Sequence, residues 1–135
     1  METCIFCKII KGEIPSSKIY EDKEVLAFLD IHPINIGHTL VVPKKHSEKF
    51  SETDDKQLEI LIKNVKKIAN IIQKAVNADG YNIGINNEKA AGQLVFHTHF
   101  HIIPRFENDK LKHWQGKNST AEELKEMQEK IKKAF

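Results

Sequence analysis

Apolar positions change period several times along the chain, and the changes mark out its elements. Ile5, Phe6, Ile9 and Ile10 fit a short helix over residues 4–11, stopped by Gly12 and Pro15. Ile19-Tyr20, a polar turn over 21–24 and the unbroken apolar run Val25-Leu26-Ala27-Phe28-Leu29 read as a hairpin. The second arm is apolar on both faces, which suits a strand inside a sheet. A loop with Pro33 and Gly37 then feeds a strand over 38–43. From about 54 to 77 the period becomes helical: Leu58, Leu61, Ile62, Val65, Ile68, Ala69, Ile72 and Val76 share one stripe. Thr53 is the expected N-cap and Gly80 the expected stop. Ile60 and Ile71 widen the stripe, which leaves open a core helix or one shared with a second subunit.

Residues 81–86 and 96–105 alternate as strands, and Ser119-Thr120-Ala121-Glu122-Glu123 opens a last helix to about Ala134. Short connections between most strands predict an α+β fold: an antiparallel five-stranded meander, one long central helix and short terminal helices. The 135 residues are expected to form a single domain, its core over about 4–105 followed by a tail and helix over 106–135.

Charge adds mainly exclusions. Twenty-one basic against 19 acidic residues is too even a balance to suggest nucleic acid as a partner. No run approaches the ~20 apolar residues of a membrane helix, and no signal peptide is visible at the start. Two cysteines three residues apart suit a metal half-site or a redox pair in a cytoplasmic protein.

The chemistry concentrates in Phe96-His97-Thr98-His99-Phe100-His101-Ile102-Ile103. On a strand the three histidines would face one side, roughly 6.5–7 Å apart. Buried imidazoles each need a polar partner, so three in a row argue for a site. Spacing alone leaves open a metal site and nucleophilic or acid–base chemistry near neutral pH.

This stretch resembles the signature of the histidine-triad (HIT) superfamily, with Thr98 in a slot that is usually apolar. Asp30-Ile31, Gly37-His38-Thr39-Leu40, Pro43-Lys44-Lys45-His46, Asn86 and Gly92-Gln93 fall at the family's usual separations, and residues 4–105 resemble a prokaryotic Hint-like member. The resemblance implies transfer of a nucleotidyl group from a purine nucleoside phosphoramidate or related compound to His99, then hydrolysis. It implies His101 and His38 as catalytic partners, Asn86, Gln93 and His101 as phosphate contacts, and Asp30 and Ile31 around the nucleoside. Leu94 stands where the family often has Ser or Thr, which removes a hydroxyl contact. The resemblance further implies a structural zinc on Cys4, Cys7, His46 and His97, no organic cofactor and a homodimer. A dinucleoside polyphosphate hydrolase and a nucleotide-binding scaffold are the alternatives. His32 and His113 read as plain loop residues, and Trp114 as a cover for the site or a local packing residue.

Overall fold

The computed structural model describes residues 3–135; Met1 and Glu2, the start of the expected domain, lie outside the described residues. The elements run α1 (Ile5–Ile10), β1 (Lys18–Glu21), β2 (Val25–Leu29), β3 (Thr39–Pro43), α2 (Asp55–Ala75), β4 (Gly80–Gly84), β5 (Phe100–Arg105) and α3 (Ala121–Lys132). The strands form one antiparallel sheet in the order β1-β2-β3-β5-β4. The fold is α+β, and β2 is interior as its unbroken apolar run requires.

Alternation along the strands divides the core into two layers. Val25, Ala27, Val41, Phe100 and Ile102 face α2 and pack on Leu61, Val65, Ile68, Ala69 and Ile72. Leu26, Phe28, Leu40 and Val42 face the other way and pack on Phe6 and Ile9 of α1. His101 lies between Phe100 and Ile102 and therefore points to the α1 side. The same parity carries His38, two residues before Leu40, to that side. Ile62 and Ile71 of α2 remain exposed.

Four boundaries depart from the sequence expectation, each for a local reason. The expected strand 96–105 begins only at Phe100. Val41 pairs with Phe100, so the register would set Pro43 opposite Thr98. Pro43 has no N–H to give, and its carbonyl is taken by the His97 imidazole. The N-cap of α2 is Asp54, whose carboxylate accepts from Lys56 N–H; Thr53 is instead buried in a cluster of hydroxyls. The helix ends at Ala75, with Asn77 at φ +55°, a left-handed conformation that Asn tolerates. Gly80 consequently opens β4, which ends at Gly84 and leaves Asn86 in the following loop.

At the C-terminus, Thr120 caps α3 by accepting from Glu123 N–H. No residue of α3 is buried, and Trp114 in the preceding irregular segment is 98% exposed. No helix among the described residues is long and apolar enough to cross a membrane.

Candidate active site and metal centre

His97, His99 and His101 lie along the α1 side of the sheet, but their polar partners separate them into different centres. Phe6 stands between the first two, its ring 5.9 Å from His97 and 5.1 Å from His99, edge-on to both. The His99 and His101 rings are 5.0 Å apart. Sequence spacing gave three equivalent imidazoles; their partners make three distinct ones.

His97 is fully buried and belongs to the N-terminal cluster. Its Nδ1 lies 3.4 Å from Cys4 Sγ, 3.6 Å from Cys7 Sγ and 3.1 Å from His46 Nδ1, while Cys7 Sγ is 3.3 Å from His46 Nδ1. All four ligand atoms lie within 4.8 Å of one another. His97 Nε2 donates to the Pro43 carbonyl at 2.8 Å, which leaves the Nδ1 lone pair free and aimed into the cluster. Burial lowers the His97 pKa to about 4, so the lone pair stays available. Burial and the neighbouring Cys4 push the Cys7 thiol up to about 11, a charge problem that a bound cation would reverse. Two sulfurs and two imidazole nitrogens converging in this way can hold a metal ion, on the four residues that the family resemblance implied.

His99 is also buried, and its Nδ1 donates to the His97 carbonyl at 2.6 Å. Its Nε2 therefore carries the lone pair. Burial lowers its pKa, with the His97 carbonyl opposing, which favours the neutral imidazole.

His101 and His38 are set by a chain of donors. Ile34 N–H donates to His38 Nδ1 at 3.0 Å, so neutral His38 must carry its proton on Nε2. That Nε2 donates to His101 Nδ1 at 2.9 Å, which places the His101 proton on its own Nε2. Burial, with the neighbouring His99 and His38, lowers the His101 pKa to about 4. Burial also lowers that of His38. Asp30 Oδ2 lies 3.6 Å from His38 Nε2 and opposes that shift.

Asp30, His38 and His101 are close enough to suggest a second cation site. The donor chain argues against one. Neutral His38 has a single lone pair, and it is already committed to Ile34 N–H at Nδ1.

Of the remaining sequence candidates, Asp30 lies beside this pair. Asp30 Oδ1 accepts from His32 N–H at 2.8 Å, closing a local turn, so only Oδ2 faces the site. Ile31 beside it is 85% exposed. Asn86 has Gly92 against its amide: a Cβ on Gly92 would sit 3.6 Å from Asn86 Nδ2, and φ +91° favours glycine there in any case. Gln93 is buried, with Nε2 donating to the Glu48 and Val95 carbonyls and Oε1 accepting from Glu88 N–H. Both of its N–H donors are thus spent on backbone, and its oxygen accepts from that of Glu88, held at φ +74°. Gln93 shapes the loop of Asn86 from within. His32 and Leu94 are exposed, as is His113.

Residue-type reasoning missed Ser47 and Thr53, whose hydroxyls meet that of Thr98 in the interior. The only sequence signal was Thr98 itself, a hydroxyl where an apolar side chain is usual.

Comparison with known proteins follows the same lines. A family model described as the HIT domain matches residues 11–108. Adenosine 5'-monophosphoramidase hnt1 of Schizosaccharomyces pombe is 47% identical over 76% of this chain and 74% of its own. Adenylylsulfatase HINT3 of Arabidopsis thaliana is 44% identical over 90% of this chain, which spans 61% of that protein. Among solved structures, SMU.412c from Streptococcus mutans UA159 is 47% identical, with a TM-score of 0.93 over 99% of this chain and 86% of that one. A zinc-bound histidine triad family protein from Mycobacterium smegmatis is 36% identical, with a TM-score of 0.79 over 99% of both chains.

Proposed function

The chain belongs to the HIT domain family, and from that premise we propose that it is a purine nucleoside phosphoramidase or related hydrolase acting at an α-phosphate. The observation that carries the reading is the buried His99, whose Nδ1 donates to the His97 carbonyl and leaves the lone pair on Nε2, beside His101, whose Nδ1 accepts from His38 Nε2. Relatives named as an adenosine 5'-monophosphoramidase and an adenylylsulfatase support hydrolysis of a nucleotide derivative.

In this reading His99 Nε2 attacks the α-phosphorus. The N–P bond to the imidazole forms as the bond from phosphorus to the amine breaks. The amine leaves with that bond's electron pair and takes one proton from solvent, while His101 Nε2–H, keeping its proton, donates a hydrogen bond to the departing nitrogen. Water then attacks phosphorus and returns one proton to solvent, the N–P bond breaks with its electron pair going back to His99 Nε2, and nucleoside monophosphate is released. Two displacements replace one difficult hydrolysis. His38 acts behind His101 by fixing its tautomer, and His101 also donates to a phosphate oxygen as negative charge builds there. Asp30 Oδ2 would accept from the ribose hydroxyls, Ile31 would cover the base, and Asn86 would donate to phosphate. Gln93 contributes by holding the Asn86 loop.

Cys4, Cys7, His46 and His97 would hold zinc, whose two-sulfur, two-nitrogen set suits a closed tetrahedral site. Four protein ligands leave no position for water, so the ion would supply structure alone, tying α1 to the segment before β5. We read the chain as one domain over residues 1–135, cytoplasmic, and paired with a second copy of itself.

A substrate panel tests the activity. Adenosine 5'-phosphoramidate should be cleaved faster than diadenosine polyphosphates, and His99→Ala should remove at least about a thousandfold of kcat. Faster cleavage of the polyphosphates would favour a dinucleoside polyphosphate hydrolase. Tight nucleotide binding with negligible turnover of every compound would favour a scaffold.

A further inference from the structure

Thr98 is a polar residue in the sheet's interior, 1% exposed, between the His97 of the metal cluster and the His99 of the active site. Its hydroxyl is one of three in mutual contact: Thr98 to Thr53 at 2.9 Å, Thr98 to Ser47 at 3.0 Å, and Ser47 to Thr53 at 2.7 Å. Thr53 Oγ1 donates to the Lys49 carbonyl at 3.0 Å, which leaves the Thr98 and Ser47 protons to link the three oxygens. Burying three hydroxyls where apolar side chains would pack is costly unless they fix something.

What they fix is one peptide unit. The Thr98 N–H donates to the Ser47 carbonyl at 2.8 Å, and Thr98 Oγ1 lies 3.3 Å from that same carbonyl. The other end of the same peptide group is the His97 carbonyl, which accepts from His99 Nδ1–H. Orientation of that plane decides whether the carbonyl meets the imidazole. The normal β ladder does not set it, since β5 begins only at Phe100. Where the ladder ends, the bond from Thr98 N–H to the Ser47 carbonyl holds the plane, and the hydroxyls hold Thr98 and Ser47 to each other.

We propose that Thr98 is a positioning residue: through Ser47 and Thr53 it anchors the His97–Thr98 peptide to the entry of α2, and so locks His99 in the Nδ1–H tautomer with Nε2 free. The claim deepens the reaction proposed above and rests on it only for its kinetic consequence. Thr98 touches no substrate. A residue there with the same shape and no hydroxyl would pack equally well while leaving the imidazole free to exchange tautomers.

The test uses the full chain, with wild type, Thr98→Val, Thr98→Ser and Ser47→Ala compared at one pH and metal content checked on each. Side-chain nitrogen NMR should show a single Nδ1–H tautomer for His99 in wild type and Thr98→Ser. Both tautomers should appear in Thr98→Val and Ser47→Ala. In turnover of adenosine 5'-phosphoramidate, Thr98→Val should lose about tenfold in kcat with KM unchanged, and Thr98→Ser should recover it. A single His99 tautomer in Thr98→Val overturns the proposal, as does wild-type kcat in that variant. If wild type cleaves no phosphoramidate, the reaction is wrong, and the NMR comparison still decides the role of Thr98.

Discussion

His38 Nε2 lies 2.9 Å from His101 Nδ1, and the direction of that hydrogen bond is fixed from behind by Ile34 N–H. Two imidazoles in contact are ambiguous in isolation, since either could donate. Here a backbone amide resolves the pair, and the outcome is a His101 that presents a proton on its open nitrogen. Replacing His38 by Ala should therefore lower kcat by about a hundredfold with little change in KM. His38→Gln, whose amide can still donate toward His101 Nδ1, should retain part of the rate. Equal loss in both variants, measured by steady-state kinetics, would contradict a tautomer-fixing role.

The pair also predicts an unusual pH response. A histidine ordinarily titrates near 6.5, but burial and its neighbours bring His101 to about 4. The kcat/KM profile should thus stay flat through pH 6.5 and decline only as pH nears 4. Stability follows the same sign. Between those pH values the unfolded chain takes up a proton that folded His101 refuses, so stability is full above pH 6.5 and falls as pH is lowered toward 4. An acid limb centred at 6.5 would show that His101 is not held neutral.

Removing metal should weaken the structure before it touches the chemistry. The four ligand atoms join α1, the turn after β3 and the segment before β5. Exhaustive chelation, or Cys4→Ser, should lower Tm by about 10 °C or more. The two losses should not add, because each removes the same site. Calorimetry on protein of known zinc content measures this, and an unchanged Tm would remove the structural role.

Asp30 should separate ribose from its deoxy analogues. One carboxylate oxygen is occupied by His32 N–H and the other is free to face a ligand. Asp30→Asn keeps the turn acceptor but loses the charge. The wild-type preference for a ribonucleoside over a 2',3'-dideoxynucleoside substrate should narrow by about tenfold in kcat/KM, about 1.4 kcal/mol. An unaltered preference would place the ribose elsewhere.

Much of this arrangement was legible in the sequence because periodicity and turn chemistry are local. The hairpin, the interior placement of β2, α2 and the cluster of Cys4, Cys7, His46 and His97 all followed from spacing, charge or family resemblance. What the sequence misplaced depends on contacts distant in the chain. The strand 96–105 was cut short by Pro43, more than fifty residues earlier, and Thr53 was drawn from capping α2 into a bond with Thr98. The family resemblance implied Gln93 as a phosphate contact; in the fold both of its N–H donors go to backbone carbonyls, an engagement that no residue pattern shows. A one-dimensional pattern shows which side chains can donate or accept. It does not show which of them are already engaged.

The central claim is that His99 becomes covalently bonded to phosphorus, and one measurement addresses it directly. Wild-type protein mixed with adenosine 5'-phosphoramidate should be denatured within a single turnover at alkaline pH, because a bond from phosphorus to imidazole nitrogen hydrolyses in acid. Peptide mass spectrometry should then find one adenylyl group on His99, absent from His99→Ala. Full turnover by His99→Ala, or an adenylyl group on His101 or His38 instead, would contradict the account.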